Sequence, residues 1–245
     1  MQVVYAIFLG VVQGLTEFLP VSSSGHLALV GKYFDIGQPG IIFEVFLHVG
    51  TLLAVVWHLR EKILRLTRKD ILLVILGSIP VGVVGILFGS IVEGTFSIIK
   101  LTGFAFLISA FLNYQTDKSV GSREALDKYD AIVIGIMQAV AVIPGISRSG
   151  ATIFAGSKMN LAKTSAAEFS FLLSIPAILG ANLYEFLKHS DSESFSLGLA
   201  LIGFAAAFFS GIIAINVLMN VLVRKKLRFF SYYLIFLGIV TILFL

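Results

Sequence analysis

The sequence predicts an all-α integral membrane protein made of two inverted-topology repeats, each a re-entrant broken helical hairpin followed by three transmembrane helices. Three observations predict it. Of the 245 residues, 58% are hydrophobic and only 13% charged, with a mean hydropathy of +0.98. A soluble domain carries charge on about a quarter of its residues to cover its surface, so lipid must solvate most of this one. Second, the apolar residues fall into runs close to the ~20 residues that cross a hydrocarbon core. Third, the two halves of the chain repeat each other.

The unbroken runs are 41–58, 71–92, 98–112, 165–187, 196–223 and 229–245, and each is read as a full crossing. Two other apolar segments, 3–32 and 131–158, are cut by clusters of Pro, Gly and Ser. One cluster is Pro20-Val21-Ser22-Ser23-Ser24-Gly25 and the other Pro144-Gly145-Ile146-Ser147-Arg148-Ser149-Gly150. Gly10-Val11-Val12-Gln13 aligns with Gly135-Ile136-Met137-Gln138, and without a gap Ser22-Ser23-Ser24-Gly25 falls on Ser147-Arg148-Ser149-Gly150. The chain is thus one membrane domain, residues 1–245, with repeat one at 1–113, a polar cytoplasmic linker at 114–130 and repeat two at 131–245.

Parity sets the relative orientation. A hairpin that returns to its own face plus three crossings starts the second half on the opposite side, which inverts it. The charges agree. Loop 59–70 carries Arg60, Lys62, Arg65, Arg68 and Lys69, and loop 224–228 carries Arg224, Lys225, Lys226 and Arg228, so both belong in the cytoplasm. Their counterparts are the acidic loop 188–195, with Asp191 and Glu193, and the segment near Glu93, which lacks basic residues. Both termini are then expected outside. The net charge of +4 comes from these topological loops, so it does not point to nucleic acid. With no cysteine, disulfides, thiolate catalysis and Cys-based metal sites are excluded. Residues 1–31 lack Lys and Arg, so a signal peptide is not expected and the N-terminus is read as part of the fold.

Irregular backbone at membrane depth needs protein or a wet cavity to shield it. The two breaks should therefore meet near the midplane around such a cavity. One brings Gln13, Glu17, Ser22, Ser23, Ser24 and His26, the other Ser147, Arg148 and Ser149. Intramembrane ionisable groups are functional by default, although a Glu17–Arg148 pair could also staple the hairpins together. Gln13 and Glu17 share a helical face at i, i+4. Serine- and glycine-rich helix starts offer N–H groups to phosphate, and the guanidinium of Arg148 suits paired phosphate oxygens. Gly25 lets a ligand approach the backbone. These residues read as an anion site, with a carboxylate able to hold a divalent cation and a histidine able to move a proton.

At these residues the sequence resembles a known family. Gln13-Gly14-Leu15-Thr16-Glu17-Phe18-Leu19-Pro20-Val21-Ser22-Ser23-Ser24-Gly25-His26 and Pro144-Gly145-Ile146-Ser147-Arg148-Ser149-Gly150-Ala151-Thr152 are similar to the two signature motifs of the undecaprenyl-diphosphatase family of bacitracin-resistance type. The likeness extends to Phe43-Glu44-Val45 and Gly50-Thr51-Leu52-Leu53-Ala54-Val55 and covers essentially the whole chain. It implies hydrolysis of the terminal phosphate of undecaprenyl diphosphate, which regenerates the lipid carrier for cell-wall polymers, in the cell membrane with the site facing outward. It also implies dependence on a divalent cation, Mg or Ca, with Glu17 as the metal candidate. Carried over by position, Glu17, Ser23, His26 and Arg148 are the catalytic candidates. Gln13, Ser22, Ser24, Gly25, Ser147, Ser149 and Thr152 are the substrate-binding ones. Gln13 is one of two residues the family allows there and is the poorer metal ligand.

The expected mechanism has Arg148 and the break amides gripping the diphosphate while Ser23 attacks, with His26 as base or proton donor. Direct attack by water is the variant. A transporter or flippase for a lipid phosphate is the rival function, since inverted repeats and a midplane site suit it equally. The expected partners are an isoprenoid diphosphate and membrane lipid; a homodimer is compatible with the sequence. His48 is read as a cavity-facing polar residue, and Glu44 and Glu168 as lining the cavity or an interface. Asn182 and Asn216 are read as interhelical hydrogen-bond donors, and Gly82, Gly85 and Gly89 as close-packing positions.

Overall fold

A computed structural model describes residues 2–34, 41–96, 98–189, 196–224 and 226–245. The acidic loop expected at 188–195 and Lys225 of the basic loop lie largely or wholly outside them. Eleven helices are described: α1 Gln2–Phe18, α2 Ser23–Phe34, α3 Ile41–His58, α4 Arg60–Ile63, α5 Arg68–Phe96, α6 Ile99–Lys118, α7 Lys128–Val140, α8 Arg148–Lys158, α9 Lys163–His189, α10 Leu197–Val223 and α11 Arg228–Phe244. Among the described residues the only sheet-like feature is one isolated bridge, Arg123 to Leu161.

Three helices, within α5, α9 and α10, are long and apolar enough to cross a membrane. Helices α3 and α11 are apolar but shorter, and α6 has 20 residues but turns polar after Leu112. The six expected crossings thus fall into two classes. At a rise of ~1.5 Å per residue, 18 residues span about 27 Å, slightly under the ~30 Å core. Lipid exposure is plain on α5, where Ile71, Leu72, Ile75, Ile79, Ile86, Leu87 and Ile91 face outward. Only 11% of its apolar window is buried in protein, against 50% for α9. Helix α5 is therefore peripheral and α9 central. Outward apolar surface on this scale belongs to a membrane protein.

Helix pairing runs through small residues. Helix α1 lies along α10, α7 along α5, and α6 along α11. A Cβ at Gly10 would strike the Gly203 carbonyl, one at Gly135 the Gly77 backbone, and one at Gly238 the Gly103 carbonyl. Such close approach replaces hydrophobic drive with van der Waals packing. Among the described residues Gly82 and Gly85, by contrast, have nothing within 4 Å of an added Cβ, and Gly89 meets only the phenol end of Tyr184. The expectation of close packing there is corrected: those glycines stand on the part of α5 that leaves the bundle. The core is continuous through Phe18, Ile134, Phe171, Leu173, Ile215 and Leu218, with Phe18 edge-on to Phe171 at 5.8 Å.

Polar ends fix the helix boundaries. Thr67 and Asp70 cap α5 reciprocally, Thr67 N–H to Asp70 at 2.9 Å and Asp70 N–H to the Thr67 hydroxyl at 3.3 Å. Asp127 and Asp130 do the same for α7, and the N–H groups it receives hold the Asp127 carboxyl below its ordinary range. The linker is shorter than the polarity suggested. Helix α6 continues through Tyr114–Lys118, residues whose side chains are polar but whose helix propensity is adequate. What remains, 119–127, is stitched down. Arg123 donates two 2.7 Å bonds to buried Asp130 and one at 3.0 Å to the Met159 carbonyl, while its backbone pairs with Asn160 and Ala162.

Candidate active site

Both breaks contain a proline, which bars a helix from running through, and end with a serine that caps the next one. In the first, α1 stops at Phe18 and α2 starts at Ser23. Ser22 adopts φ +70, a left-handed conformation unusual for serine, and its hydroxyl accepts the Gly25 N–H at 3.4 Å. In the second, α7 stops at Val140 and α8 starts at Arg148. Gly145 adopts φ +94, and a Cβ there would meet the Thr102 carbonyl at 2.6 Å. Ser147 accepts the Gly150 N–H at 3.1 Å. Each break also joins two hydroxyls, Ser22 to Ser24 at 3.3 Å and Ser147 to Ser149 at 3.2 Å.

Carbonyls freed by the breaks are satisfied from neighbours, as a buried backbone requires. Asn113 of α6 donates to the Pro20 carbonyl at 2.7 Å, and Ser149 donates to that of Leu19 at 3.3 Å. Ser109, one turn earlier on α6, donates to the Gly145 carbonyl at 3.0 Å and accepts the Ser147 N–H at 2.9 Å. Helix α6 therefore braces both breaks. Sequence reasoning passed over Ser109 and Asn113. The signal was there in principle: Ser109, Asn113 and Thr116 form one buried polar stripe on an otherwise apolar helix.

The charged centre joins the two breaks. Glu17, at the end of α1, accepts the Arg148 Nη2 hydrogen at 2.8 Å on one oxygen. Its other oxygen accepts the Ser23 hydroxyl at 2.6 Å and the Gln13 amide at 3.0 Å. The ion pair is largely sheltered, with Arg148 and Glu17 side chains 15% and 8% exposed. A buried pair of this kind is costly to break from one side, about 3–5 kcal/mol, because the partner charge is left unpaired. A cavity of about 920 Å³ opens beside it. Its polar wall includes Glu17, Ser22, Ser23, Ser24, His48, Ser147 and Arg148, and its apolar wall includes Leu9, Leu27, Ile99, Val142, Ile146 and Ile178.

Not every expected residue reaches that cavity. His26 is absent from its lining. The ring donates from Nδ1 to the Ser22 carbonyl at 2.7 Å and takes the Tyr233 hydroxyl on Nε2 at 2.6 Å, between Tyr233 and Phe106. The hydroxyl of Ser23 is bonded to Glu17, so Ser23 and His26 are held by different partners. His26 projects toward α11. Gln13, Gly25, Ser149 and Thr152 also lie off the lining. Gly25 packs against Phe106, and Thr152 joins α8 to α9 through Ser170 at 2.6 Å. His48 does line the cavity, as expected. Glu44 lies at the same wall, whereas Glu168 pairs with Lys62. Asn182 lines the cavity and its buried Nδ2 has no partner among the described residues.

Among the described residues no three His, Asp or Glu side chains converge as a metal cage. The donors fit a cation shared with a phosphate ligand, because Gln13 Oε1 is buried next to Glu17 and has no partner among the described residues. Magnesium in phosphate sites commonly takes one or two protein carboxylates and completes its shell from the ligand and water.

Comparison with known proteins accords with this geometry. The sequence model of the family described as bacitracin resistance protein BacA matches residues 6–240. A protein of Bacillus cereus named undecaprenyl-diphosphatase 3 is 40% identical over 97% of this chain and 95% of its own length. Undecaprenyl-diphosphatase of Thermosipho africanus is 38% identical over 96% and 97%, and that of Halothermothrix orenii 39% over 99% and 98%. Matched nearly end to end, and carrying both motifs at the centre of its fold, the chain belongs to the BacA family.

Proposed function

We propose that this protein hydrolyses undecaprenyl diphosphate to undecaprenyl phosphate and inorganic phosphate, so recycling the lipid carrier used in cell-wall synthesis. The observation that carries the reading is the contact of the Ser23 hydroxyl with Glu17, itself paired with Arg148, at a cavity with a polar and an apolar wall. The relatives' printed name supports the same activity. A lipid phosphate transporter needs no hydroxyl set on a carboxylate, and no relative named here supports it.

In this mechanism Arg148, Ser22, Ser24 and Ser147 hold the phosphoryl oxygens, and Ser23 attacks the terminal phosphorus. Its proton passes to Glu17, the bond from phosphorus to the bridging oxygen breaks, and undecaprenyl phosphate leaves. Water then cleaves the phosphoserine. Direct attack by water, oriented by Glu17, remains the variant. Gln13 orients Glu17, and His26 acts as a positioning residue through the Ser22 carbonyl. Ser149, Gly25 and Thr152 shape the two helix starts. A divalent cation, Mg or Ca, would be held by Glu17 and Gln13 with the substrate's own oxygens, and supplies charge compensation on them.

The fold reading goes with it. Residues 1–113 and 131–245 form inverted halves, with α1–α2 and α7–α8 as re-entrant hairpins. The exchange of partners supports this, since α1 with α10 and α7 with α5 are equivalent pairings, as are α3 with α10 and α9 with α5. The basic loops face the cytoplasm, both termini and the cavity face outward, and the cell membrane is the site of action; a homodimer is compatible with the exposed apolar faces. The test is phosphate release from undecaprenyl diphosphate by protein purified in detergent. Release that EDTA stops and Mg or Ca restores is expected, and no release refutes the function.

A further inference from the structure

The two helices entering the breaks carry matched glutamines with different surroundings. Gln13 on α1 has Glu17 one turn ahead and donates to it. The aligned Gln138 on α7 has Val142 one turn ahead, and among the described residues neither its amide nitrogen nor its oxygen has a partner. Gln138 is 1% exposed yet lines the cavity together with Val142 and Arg148. Leaving a buried amide unpaired is unfavourable unless something else completes it. On the same cavity stands Asn182 of α9, whose buried amide nitrogen also lacks a partner among the described residues. Around these amides the wall carries Ala141, Ala177, Ile178 and Ala181, and one acidic residue, Glu185, stands one turn past Asn182 on α9.

We propose that Gln138 and Asn182 form a neutral subsite for the second, tail-proximal phosphate of the isoprenoid diphosphate, next to the Ser23–Glu17–Arg148 grip on the terminal one. This rests on the phosphatase reading above. In a substrate ordered phosphate, phosphate, isoprenoid, the group between the charged grip and an apolar wall is the second phosphate. Amide N–H groups donate to its oxygens without adding another buried charge. The product keeps only the tail-proximal phosphate, which the charge of Arg148 draws out of this neutral subsite into the terminal grip. A monophosphate seated in the terminal grip leaves these amides unpaired, and sites built to hydrogen-bond a group discriminate strongly against ligands lacking it.

The experiment measures binding of two inert probes, farnesyl methylenediphosphonate and farnesyl phosphonate, by titration calorimetry in detergent. Wild type should bind the diphosphonate at least about tenfold more tightly. Gln138→Met, close in shape but unable to donate, and Asn182→Leu should each weaken the diphosphonate and leave the monophosphonate within about threefold of wild type. Gln138→Met should also melt at the same temperature as wild type or higher, since it removes an unpaired buried amide. The proposal is overturned if wild type shows no preference, if the variants keep it or weaken both probes alike, or if Gln138→Met melts markedly lower. A wild type that binds neither probe and releases no phosphate from undecaprenyl diphosphate sinks the function itself. Active wild type with an unchanged preference in both variants sinks the subsite alone.

Discussion

The first and second breaks share a frame and differ in the side chains set on it. Both have a capping serine, a hydroxyl pair and a glycine at matched positions. They differ in where the left-handed residue sits, Ser22 in one and Gly145 in the other. The first residue of the restarted helix differs too, Ser23 against Arg148, and so does the residue one turn past the glutamine, Glu17 against Val142. Repetition has kept the geometry that restarts a helix after each break, while the side chains it presents have diverged. The first break gives the carboxylate and the hydroxyl, the second the guanidinium, and they close on each other at 2.6 and 2.8 Å. Two similar loops therefore make one asymmetric site.

The most direct way to break that comparison is to ask whether the halves are inverted at all. Single cysteines can be introduced freely, since the chain has none. A cysteine in loop 188–195 should react with an impermeant thiol reagent on intact cells, and one at Arg65 should react only after the cells are opened. That is an all-or-none contrast, and the reverse pattern overturns the orientation.

Next in size is the hydroxyl unique to the first break's helix start. With Ser23 as nucleophile, Ser23→Ala should bring phosphate release to background. If water attacks instead, the variant loses a charge-assisted hydrogen bond of about 1.5–3 kcal/mol, or roughly ten- to a hundredfold in rate. Ser24 also lines the cavity, so the Ser22/Ser23/Ser24 triple alanine variant belongs beside the single one. Substantial turnover in the triple variant excludes a phosphoserine; an acid-quenched phosphoenzyme mapped to Ser23 establishes it.

The second break's own contribution is tested by Arg148→Lys. The charge stays, so Glu17 keeps a partner, but the planar fork is lost. We expect about a hundredfold lower turnover, of the order seen when one preorganised donor is removed, with the protein still folded by thermal melting. Turnover near wild type would leave Arg148 as a point charge stapling the breaks.

Much of this site was legible because its local chemistry is unusual for the setting. Proline, serine and glycine clusters inside apolar runs announce broken helices, and a lone Glu17 and Arg148 among apolar residues need each other. What was not legible depends on which way a helix face turns. Gly82 and Gly77 look alike in the sequence, yet only Gly77 meets another backbone, that of α7. Asn113 and Ser109 are single polar residues in α6 until the two breaks are placed against it. The polar stretch after Asn113 reads as linker by hydropathy, although α6 continues to Lys118. His26 shares a motif with Ser23, but the motif says nothing of Tyr233, more than 200 positions away, which receives its ring.

That last contact supplies the smallest and sharpest prediction. In the structure the Tyr233 hydroxyl donates to His26 Nε2, and Nδ1 donates to the Ser22 carbonyl. The second break has no such arrangement, because the residue aligned with His26 is Ala151, which is fully buried. If His26 only holds Ser22 in its left-handed conformation, Tyr233→Phe removes one neutral hydrogen bond, a loss of about 0.5–1.5 kcal/mol in stability. The ring still stacks and Nδ1 still reaches the carbonyl, so turnover should stay within about threefold of wild type and its pH profile should keep its shape. If instead His26 passes a proton during the reaction, Tyr233 is its outlet. The same substitution would then cost at least about a hundredfold, the usual scale of general acid–base catalysis, and move a limb of the profile. Measuring turnover against pH for wild type and Tyr233→Phe decides between a histidine that positions the first break and one that works through it.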